Sequence, residues 1–260
     1  MLERVQQVGR LAALEAGKIL HQAFSQPQKI SWKGIKDPVT ENDIKSQDII
    51  VHLIHEVFPR HRILAEEKSS SAAAGDDPAF CWIIDPIDGT VNFAHGFPMF
   101  MVSIAFEQEG EVRYGVVYDP MRDELFEAIL GQGAWLNNQP IHVSVIPTLD
   151  QALVATGFPY DISNRLEETL QRFSRMLTLA QGVRRPGSAA QDLCYVAAGR
   201  FDGFWEENLK PWDTAAAALI VTEAGGQLST LDGSPFKPTA PNIVASNGRL
   251  HEQLLAGLRI

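Results

Sequence analysis

The sequence predicts a mixed α and β fold in which helices are layered against sheets. Three observations lead there. Apolar residues at helical spacing open the chain, short apolar strand-like runs fill its middle, and strands alternate with helices from Asp150 onward. With 260 residues, 45% of them hydrophobic and 21% charged, the composition is that of an ordinary soluble globular protein able to bury a sizeable core.

The first helix is predicted over Leu2 to Phe24, where Val5, Val8, Leu11, Ala12, Ala16, Ile19 and Leu20 share one face and Pro27 ends the run. Lys29 to Asp37 is β-prone and turns back as a hairpin. Thr40 or Asn42 then caps a second helix to about Phe58, stopped by Pro59. Arg62 to Ala65 reads as a strand, Ser69 to Pro78 as a polar loop, and Cys81 to Ile84 as an apolar strand broken by Pro86. Met99 to Glu107 and Val112 to Tyr118 form a hairpin, and Leu125 to Ile129 and Gly133 to Val143 continue the β region with Asn137-Asn138 as a turn. Further strands are expected at Leu153 to Thr156, Gly203 to Trp205, Gln227 to Ser229 and Asn242 to Ala245. Helices are expected at Asn164 to Ala180, Ala189 to Ala198, Thr214 to Ala224 (ended by Gly225-Gly226) and Gly248 to Leu258. No repeat or long linker divides the chain, so residues 1–260 read as a single domain.

The net charge of −10 argues against nucleic acid as the main ligand, because a phosphate backbone is held by clustered Lys and Arg. The acidic excess suits a divalent-cation site and equally suits a well-solvated surface. Cys81 and Cys194 lie in apolar stretches and read as buried reduced thiols. Charged residues interrupt the first apolar stretch, and no run of about 18 apolar residues follows, so no signal peptide or membrane span is expected. A cytoplasmic location is the expectation.

The chemistry gathers around Trp82-Ile83-Ile84-Asp85-Pro86-Ile87-Asp88-Gly89-Thr90. An apolar strand ends at Asp85, and Pro86 and Gly89 turn the chain at once, so two carboxylates on a rigid turn can converge on one point. Hard cations such as Mg²⁺ take a few oxygen ligands and keep waters for the rest of their octahedron. Gly89 permits close backbone approach to an anion, and Thr90 offers a hydroxyl. The same two aspartates could instead merely bond backbone N–H groups of the turn. Glu66-Glu67 ends another apolar strand, and Trp212-Asp213 opens a helix that Asp213 could cap. Asp37 to Asp43 repeats the pattern at the second helix. Acids thus stand at four junctions of the kind where α/β proteins place their sites.

These residues resemble the signatures of the inositol monophosphatase family, lithium-sensitive metal-dependent phosphatases, from the first helix to about Asn247. Asp85-Pro86-Ile87-Asp88-Gly89-Thr90 carries most of the resemblance, with Trp212-Asp213 and Glu223-Ala224-Gly225-Gly226 as a second signature and Asp37-x-x-Thr40-x-x-Asp43 as a third. The resemblance implies an α-β-α-β-α layered sandwich. It implies two or three Mg²⁺ per site, held by Glu66, Asp85, the carbonyl of Ile87, Asp88 and Asp213, with Thr90 and Glu66 placing an activated water. Asp43 and Thr40 assist. Gly89 and Thr90 meet the phosphate, while Ala189, Glu206 and Asp213 line the sugar side and Lys33 (or Lys36) belongs to a loop before the site. A homodimer is also implied.

The expected reaction is hydrolysis of a small phosphate monoester, inositol 1-phosphate first, by direct attack of activated water. Related phosphatases act on fructose 1,6-bisphosphate, histidinol phosphate, 3′-phosphoadenosine 5′-phosphate or NADP. A bisphosphate would want a second basic site, and the sequence shows no basic cluster near the motifs. Arg184 and Arg185 read as interface or solvated charges. A regulatory binding protein on the same fold is the alternative of another class, although no matched ligand is missing.

Overall fold

The computed structural model describes residues 1–34, 38–67, 75–159 and 162–260. The chain opens with α1 (Leu2–Ala23), the antiparallel pair β1 (Ile30–Trp32) and β2 (Pro38–Thr40), and α2 (Glu41–Val57). A seven-stranded sheet follows, ordered β3 (His61–Ala65), β4 (Asp77–Asp88), β5 (Met101–Gln108), β6 (Glu111–Asp119), β7 (Glu124–Ile129), β8 (Gly133–Leu136) and β9 (Gln139–Pro140). Strands β3 and β4 are parallel, and the other pairs are antiparallel. A short α3 (Thr90–Ala94) bridges β4 and β5. The second half builds β10 (Leu153–Thr156), α4 (Leu166–Leu179), β11 (Gly182–Arg184), α5 (Ala189–Ala197), β12 (Gly203–Glu207), α6 (Pro211–Glu223), β13 (Gln227–Ser229), β14 (Asn242–Ser246) and α7 (His251–Leu258). Its sheet has five strands in the order β11-β10-β12-β14-β13.

Period-two alternation explains how these pieces stack. Trp82 and Ile84 of β4 enter one core with Val5, Ala12 and Leu20 of α1 and Ile50 of α2, while Cys81 and Ile83 enter another on the opposite face. That second core contains α5 and α6 and is closed from beyond by Phe204, Ile243 and Ala245 of the smaller sheet. The reverse face of the smaller sheet sends Val154, Trp205 and Val244 against Met176 of α4 and Leu254 and Leu258 of α7. The order is therefore helix, sheet, helix, sheet, helix, the layered sandwich expected from the motifs.

Close packing at the layer boundaries depends on small residues. A Cβ on Gly17 would stand 2.4 Å from the Tyr118 ring, so α1 lies directly on the sheet. A Cβ on Gly115 of β6 would stand 2.7 Å from the carbonyl oxygen of Ala216, and α6 faces the sheet with Ala215, Ala216 and Ala217. No helix is long and apolar enough to cross a membrane among the described residues. Cys81 and Cys194 are buried and free.

Several boundaries differ from the sequence expectation. Strand β4 is not broken by Pro86; it runs on to Asp88, with a register irregularity against β5 between Asp85 and Asp88. Proline is tolerated where a strand is bulged and no ladder N–H is required. Helix α6 begins at Pro211, so Asp213 lies inside its first turn rather than before it. Helix α7 begins at His251, and α4 at Leu166 after a single 3₁₀ turn. The three-residue β11 and the five-residue α3 fall below the length at which periodicity gives a signal. Of the hairpin expected over Lys29 to Asp37, β1 pairs with β2, and Ile35 to Asp37 lie outside the described residues. Most of the polar loop Ser69 to Pro78 lies outside them as well.

Candidate functional site

A cavity of about 470 Å³ opens where the ends of β3 and β4 meet the starts of α3, α5 and α6. Its lining includes Glu66, Asp85, Ile87, Asp88, Gly89, Thr90, Ala189, Glu206, Asp213 and Lys33. Every sequence-predicted site residue except Thr40 and Asp43 therefore lies on it. Those two sit immediately behind, buried at the start of α2.

Each aspartate is held by the local backbone. The Ile87 N–H donates to Asp85 Oδ1 at 3.0 Å across the turn. Asp88 Oδ2 accepts from Ser188 Oγ and from the Ala190 N–H, both at 2.6 Å, which ties the end of β4 to the start of α5. Asp213 Oδ2 accepts the Lys210 N–H at 2.6 Å, the reciprocal arm of a helix cap. The alternatives left open in the sequence, turn-bonding and capping, are thus also true of these aspartates. The bonds fix their rotamers while the carboxylates still line the cavity.

Behind them, Thr90 Oγ1 lies 2.9 Å from Asp43 Oδ1 and 2.9 Å from the carbonyl oxygen of Ile87. Asp43 Oδ2 accepts from Thr40 Oγ1 at 2.6 Å and from the Thr40 N–H at 2.8 Å, so one carboxylate caps α2 and holds Thr90. Ser46 Oγ donates to the Pro86 carbonyl at 2.9 Å and pins the turn from the same helix. Gly89 has φ +101°, a left-handed value that favours glycine, at the bend between β4 and α3.

Burial and mutual repulsion dominate the electrostatics. Burial, then Glu66, Asp88 and Asp213, push Asp85 well above the usual carboxylate range. Burial raises Asp88 to about 6 against the bonds from Ser188 and Ala190. Asp213 rises to about 8, through burial and then Asp88. Glu206 rises to about 8, through burial and then Asp213. Lys33 bridges Glu66, at 2.9 Å, and Glu67. Burial alone would lower that ammonium, but the two glutamates more than offset it and leave it raised. Glu67, pushed up to about 7 by burial, is fixed by Gln47, which bonds both its N–H and its carbonyl oxygen at 2.9 Å.

The donor set suits a hard divalent cation: all carboxylate or carbonyl oxygen, largely buried, and short of positive charge. Among the described residues no three such side chains already form a closed cage. They ring an open cleft, as befits ions that keep several waters.

The structure also shows what the sequence left out. Ser188 is an anchor for Asp88, recognisable only as a helix N-cap before α5 is placed. Asp192 is buried on α5 with Oδ1 lacking a hydrogen-bond partner among the described residues, and burial with Glu206 and Asp88 pushes its carboxyl up. Arg185, Phe158 and Lys210 line the same cavity. Glu207 forms ion pairs with Arg172 at 2.7 Å and Arg165 at 3.6 Å, which ties β12 to α4. Trp205 belongs to the core, and Tyr160 and Lys36 lie outside the described residues.

Known proteins resemble this chain in sequence and in fold. The family model described as the inositol monophosphatase family matches residues 1–260. An inositol-1-monophosphatase of Synechocystis is 46% identical over 248 residues, covering 95% of this chain and 86% of that protein. The Nus factor SuhB of Salmonella typhimurium is 42% identical over 250 residues, covering 95% of this chain and 93% of that protein. The crystal structure of the extragenic suppressor protein suhB from Bartonella henselae superposes with a TM-score of 0.94 at 38% identity, covering 98% of each chain.

Proposed function

Because this chain belongs to the inositol monophosphatase family and is a phosphatase, we propose that it hydrolyses inositol 1-phosphate, with some breadth towards other polyol phosphates, in a magnesium-dependent reaction. The observation that carries the reading is the cavity itself. Glu66 just after β3, Asp85 and Asp88 at the end of β4 and Asp213 from a helix of the other half line a single cleft as mutually repelling acids. Glu66, Asp85, the Ile87 carbonyl, Asp88 and Asp213 would hold magnesium, two or three ions in all. Magnesium held there would supply charge neutralisation for the ester and an activated water.

The protein's own groups do the positioning. Gly89 and Thr90 hold the phosphate through their N–H groups. The Thr90 hydroxyl has one proton to share between Asp43 Oδ1 and the Ile87 carbonyl, both 2.9 Å away, so its lone pairs stay turned outward to accept from the attacking water. Asp43 is the base behind that hydroxyl, and Thr40 holds Asp43 in place. Glu206 and Ala189 line the polyol side, where a carboxyl can bond two neighbouring hydroxyls. The reading includes one domain over residues 1–260, a homodimer, and no nucleic-acid ligand, in keeping with the net charge of −10.

Phosphate release from inositol 1-phosphate, fructose 1,6-bisphosphate, histidinol phosphate, NADP and 3′-phosphoadenosine 5′-phosphate, with and without Mg²⁺ and alongside Asp88→Asn, tests this. Mg²⁺-dependent release, highest in kcat/KM for inositol 1-phosphate and lost in the variant, is the expected result. Undiminished activity in Asp88→Asn would mean the site is misplaced.

The relative named a Nus factor favours one further reading, a Nus-factor role for this chain beside hydrolysis. The Asp88→Asn chain should then still replace that relative in its Nus-factor role. Failure of both this chain and the variant to do so would remove the reading.

A further inference from the structure

The bend that leaves β4 at Gly89 runs straight into a very short helix. Helix α3 has five residues, and no side chain caps its first turn. A helix of that length is marginal by itself, so neighbouring segments must fix it. Phe93 does so on its buried flank, packed edge-on against Phe100 with ring centroids 4.9 Å apart. On another flank the fixing side chain is Asn92.

Asn92 Nδ2 donates to the Met99 carbonyl at 2.7 Å and to the Pro186 carbonyl at 2.9 Å. Both partners only accept, so the amide nitrogen and not its oxygen must face them. The main-chain carbonyl of Asn92 accepts the Phe97 N–H at 2.8 Å, which closes the loop before β5 onto the same residue. The segments that Asn92 grips are those that wall in Gly89. A Cβ on Gly89 would stand 3.0 Å from the Met99 carbonyl oxygen and 3.3 Å from that of Gly187. Gly187 in turn leaves room for the amide, since a Cβ there would stand 3.1 Å from Asn92 Nδ2. One side chain thus spaces both walls of the bend, although Asn92 does not itself line the cavity. A separate stitch, Ser188 Oγ to Asp88 Oδ2 at 2.6 Å, holds the carboxylate.

We propose that Asn92 is a positioning residue for phosphate: by clasping α3 between the loop before β5 and the segment before α5, it aims the N–H groups of Gly89 and Thr90 at the phosphate oxygens. This inference rests on the phosphatase reading and deepens it. Donors already aimed at an anion bind it without reorganising, and a bend held on both sides keeps them aimed. Asn247 offers a contrast of the same construction. Its Nδ2 donates to Ser144 Oγ at 2.9 Å and to the Ile146 carbonyl at 2.8 Å, but it lies just after β14 and away from the cavity lining. That amide holds the fold alone.

The test uses two substitutions at the clasp. Asn92→Asp keeps the shape but sets an acceptor against two carbonyl oxygens, and Asn92→Ala removes the donors without adding charge, which serves if the aspartate chain does not fold. In Mg²⁺, the calorimetric Kd for inorganic phosphate should rise about tenfold in either, the scale of two lost hydrogen bonds. The kcat/KM for inositol 1-phosphate should fall by at least the same factor. The rise in Tm given by Mg²⁺ should persist, because Asp88 keeps its own bonds to Ser188 and Ala190. Asn247→Ala should lower Tm and leave phosphate binding as it is in the unmodified protein. An unchanged phosphate Kd in the Asn92 variants, an equal weakening in Asn247→Ala, or loss of the Mg²⁺ effect on Tm would overturn the inference. Phosphate that fails to bind the unmodified protein overturns it too, even where hydrolysis is seen. Weaker phosphate binding in the Asn92 variants, with no ester hydrolysed by the unmodified protein, overturns only the phosphatase reading.

Discussion

In the proposed mechanism Thr90 and Asp43 act as one unit, because the Thr90 hydroxyl lies 2.9 Å from the Asp43 carboxylate. Thr90→Ala and Asp43→Asn should each lower kcat on the order of a hundredfold, the scale of a lost acid–base contribution. The double variant should be little worse than either one. Additive losses in steady-state assays would show that the two residues work separately. Gly157 presents a second case, since a Cβ there would stand 2.0 Å from Glu206 Oε2. Gly157→Ala should therefore displace the Glu206 carboxyl and raise KM for polyol phosphates, and an unchanged KM would remove Glu206 from the substrate's path. Glu206 also titrates in a telling direction. Its folded value of about 8 lies above the ordinary 4.5, so the folded protein keeps a proton that the unfolded chain has released. Its contribution to stability is thus complete below about pH 4.5 and is lost as pH rises through 8. In chelator, Tm should fall over that window and fall less in Glu206→Gln; equal slopes would refute this assignment.

At the scale of elements, helix starts do most of the placing. Thr40 and Asp43 begin α2, Ser188 begins α5, and Asp213 lies in the first turn of α6, so caps that a helix needs anyway also aim the functional carboxylates. Ser188→Ala should cost about 1 kcal/mol of stability, as lost caps do, and should also reduce kcat, because Asp88 loses a bond. Denaturant titration beside kinetics checks both; a stability loss with normal kcat would mean that Ala190 alone positions Asp88. These caps were partly legible in the sequence. Thr40 and Asp213 were visible because a polar residue precedes a helical run, and the Asp85 to Thr90 motif was visible because Pro and Gly punctuate it. The continuation of β4 through Pro86 was not, since a bulge depends on the partner strand β5. Arg185 was not either, because a charge at a strand end looks the same whether the fold turns it to solvent or to a cavity.

The whole molecule sets the site by stacking. Two sheets enclose α5 and α6, and the cavity opens where both halves end, so its acids come from segments more than a hundred residues apart. That helices layer against sheets was readable from alternating strands and amphipathic helices, whereas the order of the five layers came only from the resemblance of the motifs. The pairing of strand ends across layers was not readable, since no local pattern encodes it. Buried acids that repel one another should make the protein's stability depend on cations. Mg²⁺ should raise Tm more at pH 8 than at pH 6, because Asp88 at about 6 and Asp213 at about 8 ionise across that range. Equal shifts at both values would argue against cation binding at these aspartates. The alanines of α6 carry a further consequence. Asp213 rides on α6, whose flank towards the larger sheet bears methyl groups, with Gly115 beneath it. That layer works as a spacer gauge for the catalytic gap: each carbon added to its interior would move one jaw of the site relative to the other. Selectivity can therefore drift through mutations that never touch a ligand, hidden in what looks like inert filling.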